Sequence, residues 1–160
     1  MRILVTGGAG FLGARLAREI LQRGQLCGQT VKQLVIADLF PAPADLQADP
    51  RVQSHAGPML EQGELLASGF DGVFHLASAV SGECELDFDL GLRSNLDSTR
   101  LLLDGIRRSG KPMGAVPWGS LTTAQMLRDG FSMVAASTEL TLLVGAARAE
   151  VDAHRKAFGG

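Results

Sequence analysis

A glycine-rich segment, TGGAGFLG at residues 6–13, has the spacing of a loop that holds a pyrophosphate. The tight turn requires Gly7, a close approach of phosphate to the backbone requires Gly10, and close packing of helix on strand requires Gly13. The first amides of the following helix add hydrogen-bond donors and the positive end of a dipole. The cofactor-binding residues predicted in this segment are Gly7, Gly10, Phe11, Leu12 and Gly13.

Asp38 ends the second predicted strand and is the acid that such a loop requires. Its carboxylate would accept hydrogen bonds from the ribose hydroxyls of adenosine, whereas a 2′-phosphate would meet a like charge. The cofactor predicted from the sequence is therefore NAD rather than NADP. A glycine-rich turn that binds nothing is the alternative interpretation of the same residues.

The other reactive residues predict no metal site. The three histidines are dispersed, and Cys27 and Cys84 lie far apart without a CxxC spacing. The two cysteines are expected to be reduced thiols in a cytoplasmic protein. Acids alternate with apolar residues ahead of a long helix, and we interpret them as a solvated helix entrance: Glu83, Glu85, Asp87 and Asp89.

The composition favours one soluble globular domain. The chain has 160 residues, of which 46% are hydrophobic and 20% charged, and its formal net charge is −2. This charge gives no reason to expect nucleic acid or an anionic membrane as partner. No apolar run reaches the length of a membrane span, and the N-terminus enters a strand at once, so a cleaved signal peptide is not expected.

Short apolar runs alternate with helix-like segments, which is typical of parallel βαβ units. The strands are predicted at residues 2–6, 33–38, 51–57, 72–78, 113–118 and 131–137. The helices are predicted at residues 11–24, 59–69, 87–108, 122–130 and 139–158. The predicted α/β fold is a three-layer, doubly wound, Rossmann-like parallel sheet of about six strands in the order 3-2-1-4-5-6. It is expected to form a single domain over residues 1–160.

Four stretches, TGGAGFLG, Asp38, VFHLAS at 73–78 and SNLDSTRLLL at 94–103, together resemble the extended short-chain dehydrogenase/reductase family. The resemblance covers residues 1–109. Within the family, HLASAVSGECELDFDLGLRSNLDSTRLL at 75–102 is most similar to the D-erythronate dehydrogenase type.

This resemblance implies that residues 1–109 are a dinucleotide-binding half with NAD as cofactor. Leu76, Ala77 and Ser78 would line the nicotinamide side. Ser81 and Glu83 would lie near a sugar-acid substrate.

The chain departs from the family pattern in two respects. Where the family has an acid that holds the adenine amino group, this chain has Gly57-Pro58-Met59. The Tyr-x-x-x-Lys acid–base pair has no counterpart, because the chain contains no tyrosine. Ser120 is the one candidate for the family's catalytic serine, with a turn or helix-capping role as the alternative. Trp118 lies at the end of the fifth predicted strand, and its role is left open.

Three stretches of the second half resemble the C-terminal part of HpcH/HpaI aldolases. They are GKP at 110–112, MLRDGFSMVA at 126–135 and TELTLL at 138–143. The resemblance implies that residues 110–160 are a βαβα segment like the end of a TIM barrel. A recombined or engineered chimera is the expected origin, and a truncated or rearranged dehydrogenase gene is the alternative.

The predicted function is an NAD-binding Rossmann module without turnover. An NAD-dependent oxidoreductase acting on a sugar acid such as D-erythronate is the first alternative, and a scaffold that binds nothing is the second. A dinucleotide is the expected partner, with a small sugar acid and a second copy of the chain as further candidates.

Overall fold

The chain divides into two compact units, Met1–Arg108 and Ser109–Gly160. The computed structural model describes residues 1–116, 119–135 and 137–158. The division lies beside the predicted boundary at residue 109, while the grouping of both units into one domain stays a prediction.

The first unit is built on a parallel four-stranded sheet. Its strands are β1 (Arg2–Thr6), β2 (Gln33–Asp38), β3 (Val52–Ala56) and β4 (Gly72–His75). They lie in the order β3-β2-β1-β4, and all three strand pairs are parallel. The predicted α/β class and the order 3-2-1-4 of its first strands are confirmed.

The central strands are apolar at residues 3–5 and 34–37, where both of their faces are covered. Ile3, Val5, Leu34 and Ile36 point to one face, where they form a cluster with residues of the first helix. Leu4, Val35 and Ala37 form a second cluster with Phe70. Burial on both faces explains why β1 and β2 read as continuous β-branched and aliphatic runs rather than alternating ones.

Helix α1 (Phe11–Arg23) packs on the first of these faces. Small residues at Ala14 and Ala17 let the helix approach the sheet, and Ile20 and Leu21 fill the space beyond them. The helix ends at Arg23, and the amide of Gly24, which has φ of 65°, donates a 3.0 Å hydrogen bond to the carbonyl oxygen of Ile20. Glycine takes this left-handed conformation without the strain that a Cβ would add.

The other helices of the first unit are short or segmented. A two-residue hairpin ladder (Gln25–Leu26 with Gln29–Thr30) and helices α2 (Ala44–Gln47) and α3 (Gly63–Ala67) follow α1. The helix predicted at 87–108 consists of α5 (Phe88–Gly91), a π-helical segment (Leu92–Asp97) and α6 (Ser98–Ser109), preceded by α4 (Ser81–Leu86). The hairpin, α2 and α4 were not predicted, because two to six residues carry too little periodicity.

The second unit contains β5 (Gly114–Ala115), α7 (Thr123–Arg128), β6 (Met133–Val134) and α8 (Glu139–Phe158). β5 and β6 pair with each other in parallel and form a separate two-stranded sheet. This differs from the predicted order, in which strands five and six extend the main sheet. Each strand has only two residues, so it offers few backbone groups for a longer ladder.

We expect Leu34→Ala to lower the free energy of unfolding by about 2–5 kcal/mol, because it leaves a cavity in the buried face of β2. The matched control is Leu86→Ala, since Leu86 is 92% exposed and its truncation should change stability by at most about 0.5 kcal/mol. Urea denaturation followed by circular dichroism measures both. Equal effects of the two substitutions would contradict the assignment of Leu34 to the core.

Candidate functional site

The glycine-rich loop leaves β1 through a left-handed turn. Gly7 has φ of 67°, and its amide donates a 2.8 Å hydrogen bond to the carbonyl oxygen of Ala37. The amide of Gly10 then donates to the carbonyl oxygen of Gly7 at 3.2 Å. Backbone hydrogen bonds thus join the loop to β2 and join two residues within the loop before α1 begins.

Two glycines in this loop lie where no larger residue fits. A Cβ on Gly13 would lie 2.1 Å from the carbonyl oxygen of Gly7, and a Cβ on Gly7 would lie 2.7 Å from the amide nitrogen of Ala77. Real Cβ atoms do not approach backbone atoms this closely. The spacing Gly7–Gly13 therefore serves the contact of the helix with the loop, as the sequence predicts.

The N-terminus of α1 is open for an anion. Gly10 is its capping residue, and in the described part of the chain no side chain caps this end and no acid occupies its first turn. The first amides of a helix lack intrahelical partners, and the helix dipole adds positive potential there. The side chains of Phe11 and Leu12 are 83% and 65% exposed, so these residues form an apolar rim beside the amides.

The carboxylate of Asp38 lies beside the glycine-rich loop and forms a hydrogen bond with it. Its Oδ2 accepts a 3.0 Å hydrogen bond from the amide of Ala9, and its Oδ1 accepts one of 3.3 Å from the amide of Phe40. Each carboxylate oxygen can accept a second hydrogen bond, so capacity remains for hydroxyl groups of a ligand. The bond to Ala9 was not foreseen from the sequence.

Thr6 organises the other wall of the site, and sequence reasoning missed it. Its buried hydroxyl oxygen accepts hydrogen bonds from the amides of Leu76 at 3.2 Å and Ala77 at 3.4 Å. The same oxygen lies 2.7 Å from Nδ1 of His75, and Nε2 of that ring lies 3.5 Å from the hydroxyl of Thr99. A neutral imidazole with its proton on Nε2 satisfies all of these contacts.

Ser78 and Ala79 are held by Asn95, a second residue that the sequence did not single out. Oδ1 of Asn95 accepts from the amide of Ala79 at 2.8 Å, and Nδ2 donates to the carbonyl oxygen of Ala79 at 2.9 Å. The hydroxyl of Ser78 lies 3.2 Å from the same Oδ1. Asn95 stands in the π-helical segment, and such widened turns are frequent at functional sites.

The two predicted substrate residues have different surroundings. Glu83 folds back on its own helix, because its Oε2 accepts a 3.0 Å hydrogen bond from the amide of Val80. Ser81 lines a surface groove together with Ala79 and Asn95. The structure therefore leaves Ser81 open to a ligand and gives Glu83 a capping bond.

The turn after β3 is closed by a side-chain amide. Gly57 donates its amide to the carbonyl oxygen of Asp38 at 2.9 Å, and Nε2 of Gln62 donates to the carbonyl oxygen of Gly57 at 2.7 Å. Oε1 of Gln62 is buried and has no partner among the described residues. Pro58 and Met59 contribute no acceptor side chain, in agreement with the sequence.

The remaining predicted positions lie in the second unit. Ser120 is exposed in a turn before Thr122, and Thr122 caps α7 together with Gln125. Trp118 falls outside the described residues. In the ranges that the structure describes, no group of three or more metal-ligating side chains is present, and no helix is long and apolar enough to span a membrane.

Residues 3–124 match the model of the NAD dependent epimerase/dehydratase family. The chain belongs to this family. D-erythronate dehydrogenase from Cupriavidus necator is 47% identical over 117 residues, which cover 69% of this chain and 36% of that enzyme. The chain thus spans about a third of the length of the curated relatives it matches.

Solved structures of the family share the fold of the chain. A nucleoside-diphosphate-sugar epimerase from Agrobacterium tumefaciens has a TM-score of 0.64 and 36% identity, over 72% of this chain and 36% of that one. The Bordetella bronchiseptica enzyme WbmF in complex with NAD+ has a TM-score of 0.59 and 25% identity, over 76% of this chain and 37% of that one. The Rossmann-like fold predicted from the sequence is confirmed.

We expect Gly13→Ala to lower the free energy of unfolding by about 1–3 kcal/mol, because its Cβ would force the loop backbone to move. The matched control is Gly105→Ala in α6, where the Cβ meets open space and the free energy should rise by up to about 1 kcal/mol. Chemical denaturation measures both. A Gly13→Ala variant as stable as the native chain would contradict the close contact.

We expect acid to destabilise the protein through His75. Burial lowers the pKa of this imidazole from its usual 6.5, so the folded state binds fewer protons than the unfolded state near that pH. The free energy of unfolding that neutral His75 contributes is fully present above the pKa of this imidazole in the unfolded state. It is lost as the pH falls below that pKa. Denaturation between about pH 7 and about pH 5 should show this loss, and His75→Gln should reduce it.

The control for the pH series is His154→Gln, because His154 is exposed in α8, where it contacts an exposed glutamate and stacks on the exposed ring of Phe158. Its pH dependence should match that of the native chain. If the His75→Gln variant lost as much stability on acidification as the native chain, a group other than His75 would be responsible for that loss.

Proposed function

We propose that this chain is an NAD-binding module that does not turn over a substrate by itself. The observation that carries the proposal is the uncapped N-terminus of α1 behind a loop in which Gly7 and Gly13 leave no room for a Cβ. Such a site holds a pyrophosphate through backbone amides and the helix dipole. The residues proposed to contact it are Gly7, Gly10, Phe11, Leu12 and Gly13.

The proposed ribose contact is Asp38. Its carboxylate has free acceptor capacity while its bonds to the amides of Ala9 and Phe40 fix its position. Ribose hydroxyls can donate to it, whereas the 2′-phosphate of NADP would meet a like charge. The relative WbmF is described in complex with NAD+, which supports NAD as the cofactor.

The nicotinamide is proposed to lie along Leu76, Ala77 and Ser78. This segment follows β4 at the carboxyl end of the sheet, where ligands of open α/β sheets bind. The hydroxyl of Thr6 binds the amides of Leu76 and Ala77, and Asn95 binds the hydroxyl of Ser78 and the backbone of the next residue. When bound, NAD would supply a hydride acceptor at this position, and the role of these residues is to orient it.

The adenine end of the proposed site lacks the family's carboxylate. Gly57 and Pro58 offer no acceptor side chain, and the amide nitrogen of Gln62 is directed at the carbonyl oxygen of Gly57. Leu39 and Phe40 expose apolar side chains after β2 and can contact a base. We expect adenine to be held by apolar contact, and NAD affinity to be lower than with an acid at this turn.

We propose the absence of turnover because the chain lacks the residue that transfers a proton in the family. The 160 residues contain no tyrosine, so the family's phenol acid–base is missing from this chain. A dehydrogenase acting on a sugar acid is the second candidate function. The observation that favours it is the 47% identity to D-erythronate dehydrogenase.

The predicted chimeric origin of residues 110–158 from an aldolase barrel stays a prediction. The boundary between the two compact units, beside residue 109, is compatible with it. The family match continues to residue 124, beyond the proposed boundary, and so weighs against it. Self-association of the chain likewise stays a prediction.

Calorimetric titration of the chain with NAD and NADP tests the proposal. We expect saturable binding at millimolar NAD and about fivefold or more weaker binding of NADP, because one like-charge contact costs on the order of 1 kcal/mol or more. Asp38→Asn should narrow this preference, and Asp97→Asn, an exposed acid on the π-helical segment, should not. No saturable binding of NAD would contradict the proposal and favour a scaffold.

The second candidate has its own test. Addition of D-erythronate and NAD to the chain should produce no NADH absorbance. Its appearance at a rate that scales with protein concentration would establish a dehydrogenase and refute the absence of turnover.

A further inference from the structure

Helix α8 is a 20-residue helix in the second unit, and among the described residues none of its side chains is buried. It lies beyond residues 3–124, which match the family model, and none of its residues is among those proposed to bind NAD. Helices in proteins owe most of their stability to the packing of an apolar face. The exposed surface of α8 therefore points to a partner.

Six residues of α8 follow a seven-residue repeat. They are separated alternately by four and three positions, so they lie on one face of the helix. These residues, which we refer to as the α8 stripe, are Leu140, Val144, Ala147, Val151, His154 and Phe158. Their spacing is that of the a and d positions of a coiled coil.

The residue types in the α8 stripe favour two parallel helices. Val144 and Val151 stand at a positions and are β-branched, and Leu140 stands at a d position. This combination favours two strands over three or four in parallel coiled coils. Ala147 is small and His154 is polar, so two of the layers contribute little and the association is expected to be weak.

The surface of α8 has a hollow of the kind that a facing helix fills. The residues that line it are Val144, Ala147, Arg148, Val151, Asp152 and Arg155. In a coiled coil, each a or d side chain enters a hole formed by four residues of the facing helix. The first four lining residues surround the d position at Ala147, so the hole can receive Ala147 of a second copy.

The residues that flank the α8 stripe favour one orientation. Arg148 and Arg155 stand at e positions on one side, and Glu150 stands at a g position on the other. In a parallel pair, each g residue meets the e residue five positions further along the facing helix, which brings Glu150 to Arg155 of the second copy. Antiparallel pairing would bring e residues together, and here these are the two arginines.

The carboxylate of Glu150 can take part in this contact. Within its own chain, Oε1 of Glu150 lies 3.2 Å from Nε2 of His154, and both side chains are largely exposed. A carboxylate has acceptor sites for more than one donor, so the guanidinium of Arg155 from a second copy can bind as well.

We propose that α8 pairs in parallel with α8 of a second copy of this chain, through the α8 stripe, as a short two-stranded coiled coil. A helix of this length spans about 30 Å, so the interface is small and the dimer forms only as the protein concentration rises. The inference does not depend on the proposed function. Failure to bind NAD would leave it standing, and a monomeric chain would leave NAD binding standing.

The test is sedimentation equilibrium of the full chain from micromolar to millimolar concentration. We expect the average mass to rise from that of one chain toward that of two. Val151→Lys places a charge in the middle of the α8 stripe, and the dissociation constant should rise about tenfold or more because that charge would be buried on pairing.

The matched control is Leu142→Lys, since Leu142 is 65% exposed and lies on the face of α8 opposite the stripe. It should leave the dissociation constant unchanged. Val151 is itself 48% exposed in the single chain, so neither substitution should unfold the protein, and circular dichroism checks this.

A charge exchange tests the orientation. Arg155→Glu places two carboxylates together in a parallel pair and should raise the dissociation constant about threefold or more, because the contact occurs twice in the dimer. Addition of Glu150→Arg should restore the native value. In an antiparallel pair, Arg155→Glu would instead remove a repulsion and tighten the dimer.

Four results would overturn the inference. The first is the mass of one chain at every concentration, which is expected if another protein or another part of this chain covers the α8 stripe. The second is an assembly larger than two chains. The third is an equal effect of Val151→Lys and Leu142→Lys, which indicates unspecific apolar association. The fourth is a tighter dimer with Arg155→Glu.

Discussion

The carbonyl of Gly7 lies against the backbone of Gly13, and this contact sets where α1 begins relative to β1. A Cβ on Gly13 would push the helix away from the loop, whereas a Cβ on Gly7 would clash with the backbone of Leu76 and Ala77 after β4. Because the two are in contact, the open amides of the helix come to lie at the carboxyl edge of the sheet, between Asp38 on one side and Ala77 on the other. The position of the helix amides proposed to bind the pyrophosphate depends on this one backbone contact.

The strand–turn–helix unit and Asp38 could be predicted because their constraints are local. A Cβ clash within seven residues and a carboxylate at the end of the next strand leave a signature in residue types. The order 3-2-1-4 was predicted because the glycine-rich loop and the alternating strands and helices are those of the doubly wound Rossmann fold. The positions of β5 and β6 did not, since two-residue strands are placed by long-range packing rather than by their own pattern.

Thr6 and Asn95 escaped prediction because their roles arise from long-range contacts. Thr6 binds the backbone of residues some seventy positions away. Asn95 binds Ala79 from within a π-helical segment that no sequence periodicity predicts. Glu83 shows the opposite case. The family resemblance implied that Glu83 lies near a substrate, whereas its hydrogen bond with the amide of Val80 is visible only in the structure. Local chemistry was thus predictable, and the residues that hold the site together were not.

Mapping NAD onto the backbone amides by NMR tests the central claim most directly. The account predicts that the amides of Gly10, Phe11, Leu12 and Gly13 shift most strongly and saturate with NAD, together with those that follow β2 and β4. Shifts confined to other parts of the chain, or none at all, would contradict it.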